Sequence, residues 1–140
     1  LFFSRFRNGA LGSFMGARMA AGKKNFFRLE IGWSKGSLAF NLERLNELEY
    51  FSLQDDPLCQ GNRNIIVTDP AHPYMDAWWP PGHVLGWEHA FIHQVKELME
   101  GIAANKPVSP DFLDGLKCQQ VLDAVVLSAK TGSWIKIQTT

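Results

Sequence analysis

From Pro80 to Ile137 the chain reads PPGHVLGWEHAFIHQVKELMEGIAANKPVSPDFLDGLKCQQVLDAVVLSAKTGSWIKI, and this stretch decides the fold. Val84, Trp87, Phe91, Val95, Leu98 and Ile102 recur at steps of three and four, which gathers apolar side chains on one helical face. Asn105 and Pro107 stop that helix. Ser109 then reads as an N-cap, Pro110 as the first helical residue and Asp111 as a charge matched to the helix dipole. Phe112, Leu116, Val121, Leu122, Val125 and Ala129 mark the stripe of a second helix, with Cys118 as a small core residue within it. Gly132 ends it, and Trp134, Ile135 and Ile137 predict a closing strand.

Working backwards, the period changes from 3.6 to two. Phe2, Ser4 and Phe6 alternate with Phe3 and Arg5, and Asn8-Gly9 is a hairpin signal. Alternation from Leu11 through Met19 predicts a return strand with apolar groups on both faces. After a turn at Gly22-Lys23-Lys24, Phe27, Leu29, Ile31 and Trp33 share one face and Arg28 and Glu30 the other. Ser34-Lys35-Gly36 is a tight turn; Leu38, Phe40 and Leu42, then Leu48 and Tyr50, continue the pattern. Short connections between such runs predict an antiparallel meander. Strands followed by helices make an α+β domain: an open, mainly antiparallel sheet with helices packed on one face.

Between the two halves, Gln54 to Gly82 is rich in Pro, Gly and Asp, with only Ile65-Ile66-Val67 strand-like. Tyr74, Trp78 and Trp79 favour an ordered loop there. The segment His72-Pro73-Tyr74-Met75-Asp76-Ala77-Trp78-Trp79-Pro80-Pro81-Gly82-His83 is the most site-like in the chain. Indole faces stack on the apolar faces of sugar rings, imidazoles exchange hydrogen bonds with hydroxyls, and consecutive prolines lower the entropy lost on binding. Its structural alternative is a Trp that packs on the sheet and a His83 that only starts the helix.

Composition narrows the function. Among 140 residues, 14 Lys and Arg balance 14 Asp and Glu, so nothing steers the chain toward nucleic acid or an anionic membrane. No apolar run approaches the ~20 residues that span a bilayer. Two cysteines set no disulfide framework, and the cytoplasm is the expected compartment. The start at Leu1 has no signal-peptide pattern and reads as internal to a longer chain.

Other chemistries find little support. Gly9-Ala10-Leu11-Gly12-Ser13-Phe14-Met15-Gly16 has the wrong spacing for a dinucleotide loop and leads into a strand. His89 and His93 stand four apart, and His83 or His72 could add a third zinc ligand, but the motif is not HExxH. Asp55, Asp56, Glu43, Glu47 and Glu49 read as solvated surface acids. No Ser lies in a nucleophile elbow.

The order and spacing of Asn8-Gly9-Ala10, Gly22-Lys23-Lys24-Asn25, Glu30 with Ser34-Lys35-Gly36-Ser37-Leu38, Glu88-His89, Lys106-Pro107, Pro110-Asp111-Phe112, Asp114-Gly115 and Trp134 resemble the C-terminal domain of the glucose–fructose oxidoreductase and inositol dehydrogenase family (Gfo/Idh/MocA). The resemblance implies an enzyme that moves a hydride between NAD or NADP and a sugar or cyclic polyol. It implies that residues 1–140 are the substrate and oligomerisation domain, with a nucleotide-binding domain upstream. The family's glycine loop, its Glu-Lys-Pro motif and its Asp-xxx-His pair are absent here, so neither catalytic nor cofactor-binding residues are expected in this stretch, which alone is expected to be inactive. Lys24 and Asn25 fall where the family often contacts substrate, and Trp79 and His83 lie in a loop like that of its sugar-oxidising members. The resemblance also implies a homo-oligomer through the open sheet face. Two rivals stand beside this reading: a self-contained carbohydrate-binding or interaction module, and a metal-dependent hydrolase using His83, His89 and His93.

Overall fold

The computed structural model describes residues 1–138. Contacts divide the chain into two units, one made of residues 1–20 with the segment from residue 97 onward, the other of residues 21–96. The expected α+β class is what the chain adopts, strands first and helices after: β1 (Phe2–Arg5), β2 (Leu11–Phe14), β3 (Arg28–Trp33), β4 (Gly36–Asn41), β5 (Glu47–Ser52), β6 (Arg63–Ile66), α1 (Trp87–Ala104) and α2 (Phe112–Thr131).

In the first unit, β1 and β2 form the hairpin that Asn8-Gly9 predicts. Gly9 takes φ +87°, the Asn8 side chain accepts from the Ala10 N–H at 3.1 Å, and Phe2 stacks on Phe14 with ring centroids 4.7 Å apart. The return strand is shorter than expected. Phe14 pairs with Phe2 and ends β2, and Met15 and Met19 are exposed.

The helix ends follow local rules, with one correction. The N-cap of α2 is Asp111, not Ser109. Its carboxylate accepts from the Leu113 and Asp114 N–H groups at 2.8 and 3.0 Å, and Asp114 returns the bond to the Asp111 N–H at 3.2 Å. This reciprocal box satisfies donors that Ser109, two residues earlier, does not cap. Asn105 closes α1 at φ +49°, with Lys106 N–H on the Gly101 carbonyl at 2.9 Å and Asn105 N–H on that of Ile102 at 3.1 Å, a Schellman arrangement. Gly132 at φ +64° closes α2. The expected final strand does not form: the described residues after Gly132 join no ladder, Ser133 instead accepts from the Ser128 hydroxyl at 2.7 Å, and the Arg5 guanidinium lies 5.4 Å from the Trp134 ring centre. Cys118 is exposed, not core. The half-buried stripe of α2 runs through Val121, Ala124, Val125 and Ser128, while Phe112, Leu116 and Cys118 lie on an uncovered first half.

The second unit is built on a four-stranded antiparallel sheet in the order β3-β4-β5-β6, so the strands expected in one meander divide between this sheet and the hairpin. Register places Leu29 opposite Phe40, Ile31 opposite Leu38, Leu38 opposite Tyr50 and Leu48 opposite Ile65, which makes one continuous apolar face. On the other face Glu30 and Glu49 flank Ala39, and Arg28 joins them. Its guanidinium reaches Glu30 at 2.6 Å and Glu49 at 2.9 Å, over the buried Ala39. These bonds, that to Glu49 first, raise the Arg28 pKa above its ordinary value and lower that of Glu49. A shallow concavity of about 360 Å³ lies on this face over Gly32, Ser37 and Ala39.

Gly36 is required at the β3–β4 turn because a Cβ there would stand 2.1 Å from the Phe51 carbonyl oxygen, whereas one on Gly101 would meet the Cγ2 of Val108 at 2.2 Å and the Lys106 carbonyl oxygen only at 3.2 Å. Gly36→Ala must displace a strand backbone and is expected to destabilise by about 1–3 kcal/mol. In Gly101→Ala the Val108 side chain can yield and helix propensity improves by about 1 kcal/mol, so the net change is expected to be smaller. Thermal unfolding of the two variants checks that order, and equal losses would contradict it.

Candidate functional site

The loop singled out by sequence is closed at its neck by backbone and amide bonds. The Val67 N–H donates to the Asn46 carbonyl at 3.0 Å, and the Gly82 N–H to the Thr68 carbonyl at 3.0 Å. The Asn46 side chain then clasps Leu85, accepting from its N–H at 2.8 Å and donating to its carbonyl at 2.9 Å. The chain therefore leaves β6, makes an irregular excursion and returns to α1 within reach of one residue of the β4–β5 connection. Thr68, at the neck, is 1% exposed.

Inside the loop the backbone reverses at Tyr74, whose φ of +68° is rare for an aromatic residue, and a short 3-10 turn follows at Met75–Ala77. Met75 is buried and the Trp78 N–H returns to its carbonyl at 3.1 Å. Trp78 then turns toward α1. Its indole Nε1–H donates to His93 Nε2 at 2.7 Å, and its ring meets that of His89 edge-on at 4.5 Å. Tyr74 stacks on His93 at 4.5 Å. His89 in turn accepts at Nδ1 from the Gly86 N–H at 3.0 Å, the reciprocal half of a capping box made by an imidazole at the start of α1.

With Trp78 held, Trp79 points elsewhere: it is 59% exposed. His83 is exposed as well, its Nδ1 2.9 Å from the Pro80 carbonyl. A carbonyl only accepts, so Nδ1 carries the hydrogen, and Nε2 is the nitrogen turned away from that bond. Trp79 and His83 thus offer a ring face and a hydroxyl acceptor from one braced segment.

The other predicted pair, Lys24 and Asn25, lies in the turn before β3. Its anchor is Glu43, whose Oε1 accepts from the Lys24 N–H at 2.8 Å and the Asn25 N–H at 3.0 Å. Those two bonds, that from Lys24 first and aided by the charge of Lys23, lower the Glu43 pKa below its ordinary value. Glu43 had read only as a solvated acid; its partners lie 18 and 19 residues away, beyond any local signal. Asn46, Trp78 and His93 were likewise missed as anchors, although the His89 and His93 spacing did mark the helix face that receives the loop.

The glycine-rich stretch and the histidine pair weighed from sequence are instead engaged in packing and hydrogen bonds. The Gly9–Gly16 stretch is a hairpin, where a Cβ on Gly12 would already lie within 3.1 Å of Phe14, Ser4 and Phe6 atoms, and no helix N-terminus follows to take a pyrophosphate. Among the described residues no three His, Cys, Asp or Glu converge as metal ligands, and the lone pairs of His89 Nδ1 and His93 Nε2 are taken by hydrogen bonds. No helix of the described residues is long and apolar enough to cross a membrane.

Antiparallel strands followed by two long helices are the architecture of an oxidoreductase-family C-terminal α/β domain. The family model "Oxidoreductase family, C-terminal alpha/beta domain" matches residues 3–137, and the chain belongs to that family, Gfo/Idh/MocA. Levoglucosan dehydrogenase of Pseudarthrobacter phenanthrenivorans is 37% identical over 134 residues, which is 95% of this chain and 34% of that protein. A solved oxidoreductase domain protein from Kribbella flavida superposes with a TM-score of 0.94 at 48% identity, covering 97% of this chain and 35% of its own. Levoglucosan dehydrogenase in complex with NADH and levoglucosan superposes with a TM-score of 0.95 at 36% identity, covering 99% and 37%. The chain therefore spans about a third of the length of these relatives.

The Glu43 anchor has a testable pH signature. Its folded pKa lies below its unfolded value, so the stabilisation is complete above the unfolded value, near 4.3, and is lost only as pH falls through the lower, folded one. Amide exchange at Lys24 and Asn25 is expected to stay slow through the ordinary carboxylate range and to rise below it. Glu43→Gln should speed that exchange at neutral pH; protection equal to wild type would show that the carboxylate does not hold the turn.

Proposed function

We propose that this chain is the substrate-side domain of a nicotinamide-dependent oxidoreductase that moves a hydride between NAD or NADP and a sugar or cyclic polyol. A Rossmann-type domain elsewhere in the protein binds the cofactor, which supplies or accepts the hydride. Residues 1–140 supply binding groups and no hydride chemistry, so alone they are inactive. Trp79 gives a stacking face, His83 Nε2 accepts from a hydroxyl, and the Lys24 ammonium and Asn25 amide donate to ring oxygens. The cytoplasm, where reduced cofactor is generated, is the working compartment.

The observation that carries the reading is the braced loop: two adjacent tryptophans divided between an inward anchor, Trp78, and an outward face, Trp79. Family membership over residues 3–137 and a relative solved with NADH and levoglucosan support the same chemistry. In the full-length protein, Trp79→Ala and His83→Ala are expected to raise the sugar KM roughly ten- to a hundredfold, as for the loss of a stacking face or a hydrogen bond, with NADH affinity unchanged. Unchanged kinetics in both would assign the loop to scaffolding.

The open sheet completes the proposal as the surface through which copies associate. Leu29, Ile31 and Trp33, on the edge strand β3 of the apolar face, are 45%, 49% and 42% exposed. Continuous apolar surface of this kind usually marks an interface. Light scattering is expected to show a dimer or tetramer at micromolar concentration that survives moderate salt; a monomer would refute the interface, and dissociation by salt would make it electrostatic.

A further inference from the structure

We infer that His93 is a positioning residue for the substrate loop, acting as a neutral imidazole that clamps Trp78 and so sets the direction of Trp79. This rests on the substrate reading of the loop given above. The geometry is one-directional. Indole Nε1–H can only donate, so at 2.7 Å His93 Nε2 must be an unprotonated acceptor. The same ring is sandwiched on its Tyr74 side at 4.5 Å and 17°, where the reversed backbone at φ +68° brings Tyr74 over it. A left-handed tyrosine persists only where its surroundings over-determine it, and here the stacked imidazole does so. Trp78 is further held edge-on by His89, whose own Nδ1 is engaged by Gly86. The loop is therefore tied to α1 through rings, while its tip beyond Trp78 is free of such ties.

The arrangement also makes the clamp sensitive to acid. A second proton on His93 would set two N–H donors head to head and release Trp78. Charged or titratable groups in contact with the cluster include Lys96, whose Nζ lies 5.7 Å from the Tyr74 ring centre, Glu88, 3.6 Å from His89 Nδ1, and His89 itself. Neither Trp78 nor the imidazoles need touch substrate. Their effect is to fix which of two adjacent indoles is presented.

The test uses the full-length protein with a single ¹⁵N-indole label reading Trp78. In the wild type the hydrogen-bonded Nε1–H resonance is expected to be lost in the same pH step in which the His93 ring titrates. His93→Phe keeps the stack on Tyr74 but removes the acceptor; it should shift that resonance at neutral pH and raise the sugar KM roughly three- to tenfold with kcat and NADH affinity unchanged. His93→Gln restores a non-titrating acceptor and should recover the KM while abolishing the acid step. Trp78→Phe in the His93→Phe background should add little, since both changes break one bond. An unshifted resonance in His93→Phe, or a resonance in His93→Gln no nearer the wild-type position than in His93→Phe, overturns the clamp. If Trp79→Ala leaves the KM unchanged while the Trp78 resonance behaves as stated, the clamp stands and the substrate reading of the loop fails. If Trp79→Ala raises the KM and His93→Phe does not, the clamp fails and the substrate reading stands.

Discussion

Asn46 holds both ends of the loop that carries the candidate site. Its backbone carbonyl receives Val67 as β6 ends, and its side chain forms a two-bond clasp on Leu85 just before α1 begins. Each such bond contributes roughly 0.5–1.5 kcal/mol net, so one asparagine supplies much of what offsets closing a loop between residues 67 and 85. An amide is the suitable group because the clasp needs one donor and one acceptor on the same plane; neither a carboxylate nor an aliphatic chain offers both. Three residues earlier, Glu43 does the corresponding work for the Lys24–Asn25 turn with a carboxylate, because there both partners are donors. The β4–β5 connection is thus the common support of the two candidate binding segments, and the sheet register that places it is a precondition for either.

The sheet divides its labour by face. Alternation puts the apolar side chains of β3, β4 and β5 on one side and gathers Arg28, Glu30 and Glu49 on the other around small residues. Exposed ion pairs contribute little stability, so the charged face is better understood as fixing strand register: a slip of one residue would carry Arg28 away from both carboxylates and turn the apolar stripe over. Helix ends show the same economy of means, since Asp111, Asn105 and Gly132 each satisfy terminal backbone groups without help from the rest of the fold.

Much of this was legible from residue order. Period-two runs located β3, β4 and β5, and the three-four spacing located α1 and α2, because each signal is a property of neighbours in sequence. What failed was what depends on a partner. The second strand was expected to reach Met19 and stops at Phe14, since alternation along one strand does not show how far its ladder runs. Trp134 was expected in a ladder and instead lies against Arg5. The cap of α2 fell two residues late because both Ser109 and Asp111 are competent caps, and only the reciprocal bond from Asp114 distinguishes them. In the site, the loop was recognisable by its prolines and indoles, yet two adjacent tryptophans carry the same sequence signal. Which one turns inward is decided by the backbone reversal at Tyr74 and by an acceptor on α1 fifteen residues beyond Trp78.

That division between braced and free groups is what the substrate reading proposed for the loop depends on. Discrimination among polyols turns on the placement of a few hydroxyl partners, and a site that leaves a buried partner unpaired rejects the wrong substrate strongly. Loops set such partners well only if their motion is confined. Here confinement comes from polar bonds at the neck and from ring contacts along one side, while the consecutive prolines between Trp79 and Gly82 stiffen the remainder. A purely apolar anchor would have held the loop as firmly but without direction. The indole-to-imidazole bond fixes the rotation of Trp78 about its own axis, and through the rigid segment that follows, the face that Trp79 turns outward.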